Sequence, residues 1–88
     1  MKVVVLVEDN FSIRENTAGN LELERYKVIT AINGREALEM IPEKIPDIIL
    51  CDVSTPELNG FQLLINLKEH NGYRHMPFVF LTASAEKK

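Results

Sequence analysis

Three short runs of the chain are apolar at every position: Val3 to Val7, Ile48 to Cys51 and Phe78 to Leu81. Runs this short, rich in branched or aromatic residues and without polar alternation, predict strands covered on both faces of a sheet. A fourth run, Tyr26 to Ile32, includes Lys27 and Thr30 and predicts a strand nearer the sheet edge. Between these runs the pattern changes to a helical period. Ser12-Ile13-Arg14-Glu15 fits a capping box, and Ile13, Thr17 and Leu21 then share one face at intervals of four. Gly19 costs this helix about 1 kcal/mol relative to alanine. Asn33, with Glu36 three residues on, opens a second helix that turns Ala37, Leu38 and Ile41 inward before Pro42 stops it. A third begins near Gly60, carries Leu63, Leu64 and Leu67 on its core side, and ends at Asn71-Gly72 in a left-handed cap.

Strand and helix therefore alternate through the chain, from a first strand at Val3 to a fourth at Phe78. That order predicts an α/β fold, a doubly wound parallel sheet with right-handed crossovers and helices on its faces. With 88 residues, 45% of them hydrophobic, the chain has material for one core and one domain, spanning 1–88. No repeat, linker or low-complexity segment interrupts it.

Charge and composition exclude several classes of function. A net charge of -3, with no basic run except Lys87 and Lys88, offers nucleic acid no footprint. No apolar stretch approaches the roughly 18 residues of a membrane span, and acids end the opening apolar run too early for a signal peptide, so the expected location is cytoplasmic. A single cysteine, Cys51, rules out an internal disulfide and a multi-cysteine metal site, and its apolar setting predicts an inert core thiol. His70 and His75 read as loop residues, since two histidines at that spacing make a poor metal site.

The candidate chemistry lies where strands end. In a parallel sheet the residues that follow the strands gather on one edge. Here these are Glu8 and Asp9 after the first strand, Asp52 after the third and Thr82 after the fourth. Taken singly each has a plainer reading: a solvated acidic loop, an Asx turn before "STPELNG", a helix cap. Taken together they place three carboxylates at corresponding ends of separate strands. Like charges 4 Å apart repel by about 4 kcal/mol at an effective dielectric near 20, so the group calls for a cation, and an all-oxygen donor set suits Mg²⁺.

With strand one ending in "VEDN", then "PDIILCD" followed by "STPELNG", then "PFVFLTA", the chain resembles the receiver domain of two-component response regulators along its whole length. The resemblance implies a flavodoxin-like sheet of order 2-1-3-4. It makes Asp52 the phosphoacceptor and Thr82 the switch hydroxyl. Glu8, Asp9, Asp52 and the backbone carbonyl of Ser54 become the Mg²⁺ ligands. The implied function is a signalling switch and not an enzyme, phosphorylated by a sensor histidine kinase or phosphotransfer protein, with an output domain expected in a longer parent chain. Ser54 and Ser84, both small, are expected to leave the approach to the phosphoryl group open.

One departure from the family is the end of the sequence at Lys88, before the fifth strand and helix of a receiver and before the lysine that pairs with the phosphoryl group. The domain is thus expected to be C-terminally incomplete, with Phe78 to Leu81 exposed as a sheet edge through which two copies pair or swap. Two other readings compete. A phosphatase of the haloacid-dehalogenase type needs a second aspartate two residues after the nucleophile, and that position is Ser54, which leaves it without a proton donor. A receiver-like interaction module that is never phosphorylated is the other, since a fold does not dictate a function.

Overall fold

A computed structural model describes residues 1–53, 58–70 and 72–81. The elements run β1 (Val3–Val7), α1 (Phe11–Leu23), β2 (Lys27–Ala31), α2 (Gly34–Lys44), β3 (Ile48–Asp52), α3 (Gly60–Glu69) and β4 (Phe78–Leu81). The four strands form one parallel sheet of order β2-β1-β3-β4. As the mixed pattern of its sequence predicts, β2 lies at one edge. Among the described strands β4 lies at the other, with Val79 exposed.

Alternation along β1 divides the core. Val5 and Val7 join Ile49 and Cys51 of β3, Ala37 and Ile41 of α2, and Leu63 and Leu67 of α3 in one buried cluster. Val4 and Leu6, equally buried, belong to the opposite face, where α1 packs against β1 and β2 and contributes the buried Ala18. Leu38, Tyr73, Met76 and Phe78 close the margins of the main cluster. Helices on both faces of a parallel sheet explain why β1 and β3 read as unbroken apolar runs.

The helix ends differ from expectation in three places. The cap of α1 is Asn10, whose side chain accepts from the Ile13 amide at 2.9 Å; Ser12 lies within the helix. Both residues are competent caps, and the extended backbone of Asn10 is what a cap requires. Pro42 does not stop α2. Proline removes one backbone donor on an exposed face, and the helix continues to Lys44, where the Ile45 amide still bonds the Ile41 carbonyl at 2.8 Å and Ile45 takes a left-handed cap. In α3 the last helical residue is Glu69, and His70 follows in extended backbone; Gly72 has no positive φ, and Asn71 lies outside the described residues. Besides Ile45, a left-handed termination occurs at the end of α1. Arg25 has φ 72°, its amide bonds Glu22 and that of Tyr26 bonds Leu21, the paired bonds of a Schellman motif.

Candidate functional site

Register builds the site. β1 pairs with β3 so that Val7 stands beside Cys51, which brings the next residues, Glu8 and Asp52, to the same level at the carboxyl edge of the sheet. Glu8 continues the line of β1, its amide bonding the Ala31 carbonyl of β2 at 3.0 Å. Asp9 follows in the connection to α1. One carboxylate oxygen from each of Glu8, Asp9 and Asp52 lies within 4.8 Å of the others, with Glu8 2% and Asp52 6% exposed and Asp9 open to solvent. The three acids read from separate strand ends are thus brought together.

The connection between β1 and α1 is held from within. The Glu8 carboxylate accepts from the Asn10 amide at 3.1 Å, and Asn10 in turn caps α1. Arg14, one turn into the helix, donates through Nη1 to the carbonyl oxygens of Glu8 at 2.9 Å and Asp9 at 3.4 Å, while its guanidinium lies over the Phe11 ring at 5.4 Å. Asn10 and Arg14 are parts of the site's scaffold that sequence reading did not single out. The signal available was position: Asn10 follows the acidic pair directly, and Arg14 lies one helical turn beyond Asn10.

Burial holds the Glu8 carboxyl above its ordinary value of 4.5, and the neighbouring charges of Asp52 and Asp9 add to the rise, against the Asn10 amide, which favours the ionised form. A carboxyl raised on folding contributes stability that is fully present below 4.5 and is lost as pH climbs through the raised value. Without divalent cations, thermal stability is therefore expected to fall as pH rises above 4.5 by the share that Glu8 carries. Added Mg²⁺ engages the ionised form, so its stabilising effect is expected to grow over the same interval. Melting series at several pH values, with and without Mg²⁺, check both trends, and a Mg²⁺ effect that shrinks with rising pH would contradict them.

Beside Asp52, the Cys51 thiol is pushed up to about 12 by burial and then by the charges of Asp52 and Glu8, and its Sγ lies 3.2 Å from the Asp52 carbonyl oxygen. The thiolate is the nucleophilic form, so alkylation at mildly alkaline pH is expected to be negligible in the folded protein and rapid in denaturant. Labelling followed by mass measurement tests this.

The donor set fits Mg²⁺. All three ligand candidates are hard carboxylate oxygens gathered within 4.8 Å of one another, the donor type that Mg²⁺ takes. Ser54 and Thr82, the remaining predicted site residues, lie outside the described residues, as does Ser84. His70 and His75 are exposed and remote from this group in the fold; the His70 ring stacks on Tyr73 and accepts from the Gly72 amide.

The sequence matches the family model of the response regulator receiver domain over residues 4–88. The chain belongs to that family. It is 37% identical over 86 residues to the polar-differentiation response regulator DivK of Brucella anthropi, covering 98% of this chain and 70% of that protein. The receiver domain of a signal transduction histidine kinase from Syntrophus aciditrophicus superimposes with a TM-score of 0.89 at 33% identity, over 93% of this chain and 62% of the other. A second receiver domain, from a sensor histidine kinase of Pseudomonas aeruginosa with a magnesium ion coordinated in its active site cleft, gives a TM-score of 0.88 at 27% identity, over 98% of this chain and 70% of the other. This receiver domain thus spans 62% to 70% of the lengths of these relatives. Relatives of both kinds, response regulators and histidine kinases, carry the fold. The family typically acts as a phosphoacceptor and not as an enzyme. Among the described residues no helix is long and apolar enough to cross a membrane.

Proposed function

We propose that this receiver domain accepts a phosphoryl group on Asp52 from a sensor histidine kinase or phosphotransfer protein, and relays the change to an output partner. What supports the reading is the convergence of Glu8, Asp9 and Asp52 at the carboxyl edge of β1 and β3. A carboxylate oxygen of Asp52 bonds to phosphorus as the bond to the donor's imidazole nitrogen breaks. The nitrogen keeps the electron pair, and Asp52 becomes an acyl phosphate that water later removes. Glu8, Asp9, Asp52 and, on the family pattern, the Ser54 carbonyl would hold Mg²⁺, which when bound would neutralise charge on the phosphoryl oxygens. Glu8 and Asp9 contribute ligands and no proton. Arg14 and Asn10 keep those ligands in place through the backbone.

The phosphoryl oxygens are new acceptors at the carboxyl edge of the sheet, and Thr82, the residue after β4 in sequence, supplies the hydroxyl that turns toward them and carries the signal on. The small side chains of Ser54 and Ser84 set how openly water reaches the product. The testing experiment is incubation of the protein at its full natural length with acetyl phosphate and Mg²⁺, followed by intact mass. A phosphoryl adduct that a chelator abolishes sustains the reading, and its absence under conditions where a known receiver is labelled sinks it.

A further inference from the structure

Asparagine followed by glycine occurs three times, and two of these pairs open a helix: Asn33-Gly34 at α2 and Asn59-Gly60 at α3. Both asparagines are caps, accepting from Glu36 and Gln62 respectively. The glycines serve a different end, and it concerns the backbone around Asp52. At Gly60 a Cβ atom would stand 3.0 Å from the Asp52 carbonyl oxygen, from Val53 Cα and from the Phe80 ring, and the Gly60 amide donates to the Val53 carbonyl at 3.3 Å. At Gly34, which is buried, the amide donates to the Leu58 carbonyl at 3.1 Å. A Cβ there would collide with that oxygen and lie 3.1 Å from the carbonyl carbon and Cβ of Leu58.

Leu58 itself is held at φ 23°, on the left-handed side where side-chain-bearing residues are strained. The first amide of a helix has no partner within the helix, and in α2 that donor is spent on the Leu58 carbonyl, ahead of α3. The contacts form a short series. Gly34 of α2 holds Leu58, and two residues on Gly60 of α3 holds Val53, the neighbour of Asp52. Gly19 offers the contrast, since an added methyl group there meets nothing within 4 Å.

We propose that Gly34 is a positioning residue for Asp52: by letting the start of α2 close on Leu58, it fixes the backbone that aims the Asp52 carboxylate at Glu8 and Asp9. It touches no reacting atom and acts through Leu58 and Gly60. The metal-binding part stands on the acidic cluster alone, and the rate part rests on the phosphoacceptor reading above.

The test compares Gly34→Ala with Gly19→Ala in the protein at its full natural length. Mg²⁺ affinity is read by calorimetry, and adduct formation with acetyl phosphate is followed by intact mass across a Mg²⁺ series. Gly19→Ala is expected to match the parent in both. Gly34→Ala is expected to bind Mg²⁺ about tenfold more weakly, the scale seen when support behind a metal ligand is lost, and to recover most of its rate when Mg²⁺ is saturating. A lowered melting temperature with unchanged Mg²⁺ affinity would overturn the proposal and leave Gly34 a packing position. Should Gly34→Ala fail to fold, hydrogen exchange of the Gly34 amide in the parent protein decides: exchange slowed severalfold by Mg²⁺ sustains the coupling, and unchanged exchange overturns it. Absence of any adduct on the parent would overturn the phosphoacceptor reading instead, leaving the affinity comparison to decide this one.

Discussion

Replacing Asp52 by asparagine is expected to abolish the acetyl phosphate adduct and to raise stability in the absence of Mg²⁺. The amide keeps the shape of the carboxylate and has no oxygen able to form an acyl phosphate, so the loss is complete and not partial. The gain in stability has an electrostatic origin. Asp52 is 6% exposed beside Glu8, which is 2% exposed, and removing one of two like charges in that setting is expected to stabilise the cation-free protein by about 1–3 kcal/mol. The Mg²⁺ dependence of the melting temperature should shrink in the same variant, because one of three oxygens of the cluster is no longer anionic. Intact mass and paired melting curves check the two halves. A persistent adduct would place the phosphoryl group on another residue, and a variant less stable than its parent without Mg²⁺ would contradict the charge argument.

The second large effect is expected from Ile49→Ala. Ile49 is fully buried in β3, paired with Val5 on one side and Phe78 on the other, and belongs to the cluster that joins the sheet to α2 and α3. Truncation removes buried methyl groups and leaves a cavity bounded by backbone ladders on both sides, which collapse poorly. The cost is expected at the upper part of the usual 2–5 kcal/mol, against about 1 kcal/mol for Ile49→Val. A small domain with a total stability of about 5–15 kcal/mol has little margin for such a loss. Urea unfolding midpoints of the two variants measure it, and a loss in Ile49→Ala no larger than in Ile49→Val would show that the site relaxes.

Much of this was legible in the sequence because it depends on local pattern. Unbroken apolar runs located β1, β3 and β4, and a mixed run located β2 at an edge, since burial on one or both faces leaves its mark residue by residue. The convergence of Glu8, Asp9 and Asp52 followed from one non-local assumption, that β1 and β3 are neighbours, and the observed strand order supplies it. Helix ends were less legible where two residues can do the same task. Asn10 and Ser12 are both caps by chemistry, and the choice is made by Glu8, whose carboxylate receives the Asn10 amide. Pro42 was misleading because the lost bond falls on an exposed face and later carbonyls still find donors. The contact of Gly34 with Leu58 was not legible at all, since it joins residues from different connections and depends on a left-handed leucine that no propensity favours.

The pairing of Val7 with Cys51 has one more consequence. Side chains alternate across a strand, so sliding β3 by a single residue against β1 would carry Asp52 to the opposite face and bring an apolar neighbour level with Glu8. The acidic cluster therefore exists in one alignment of the two central strands and in none of its near neighbours. An ion that engaged all three carboxylates would bind only the correctly aligned sheet, and would therefore stabilise that alignment over its neighbours.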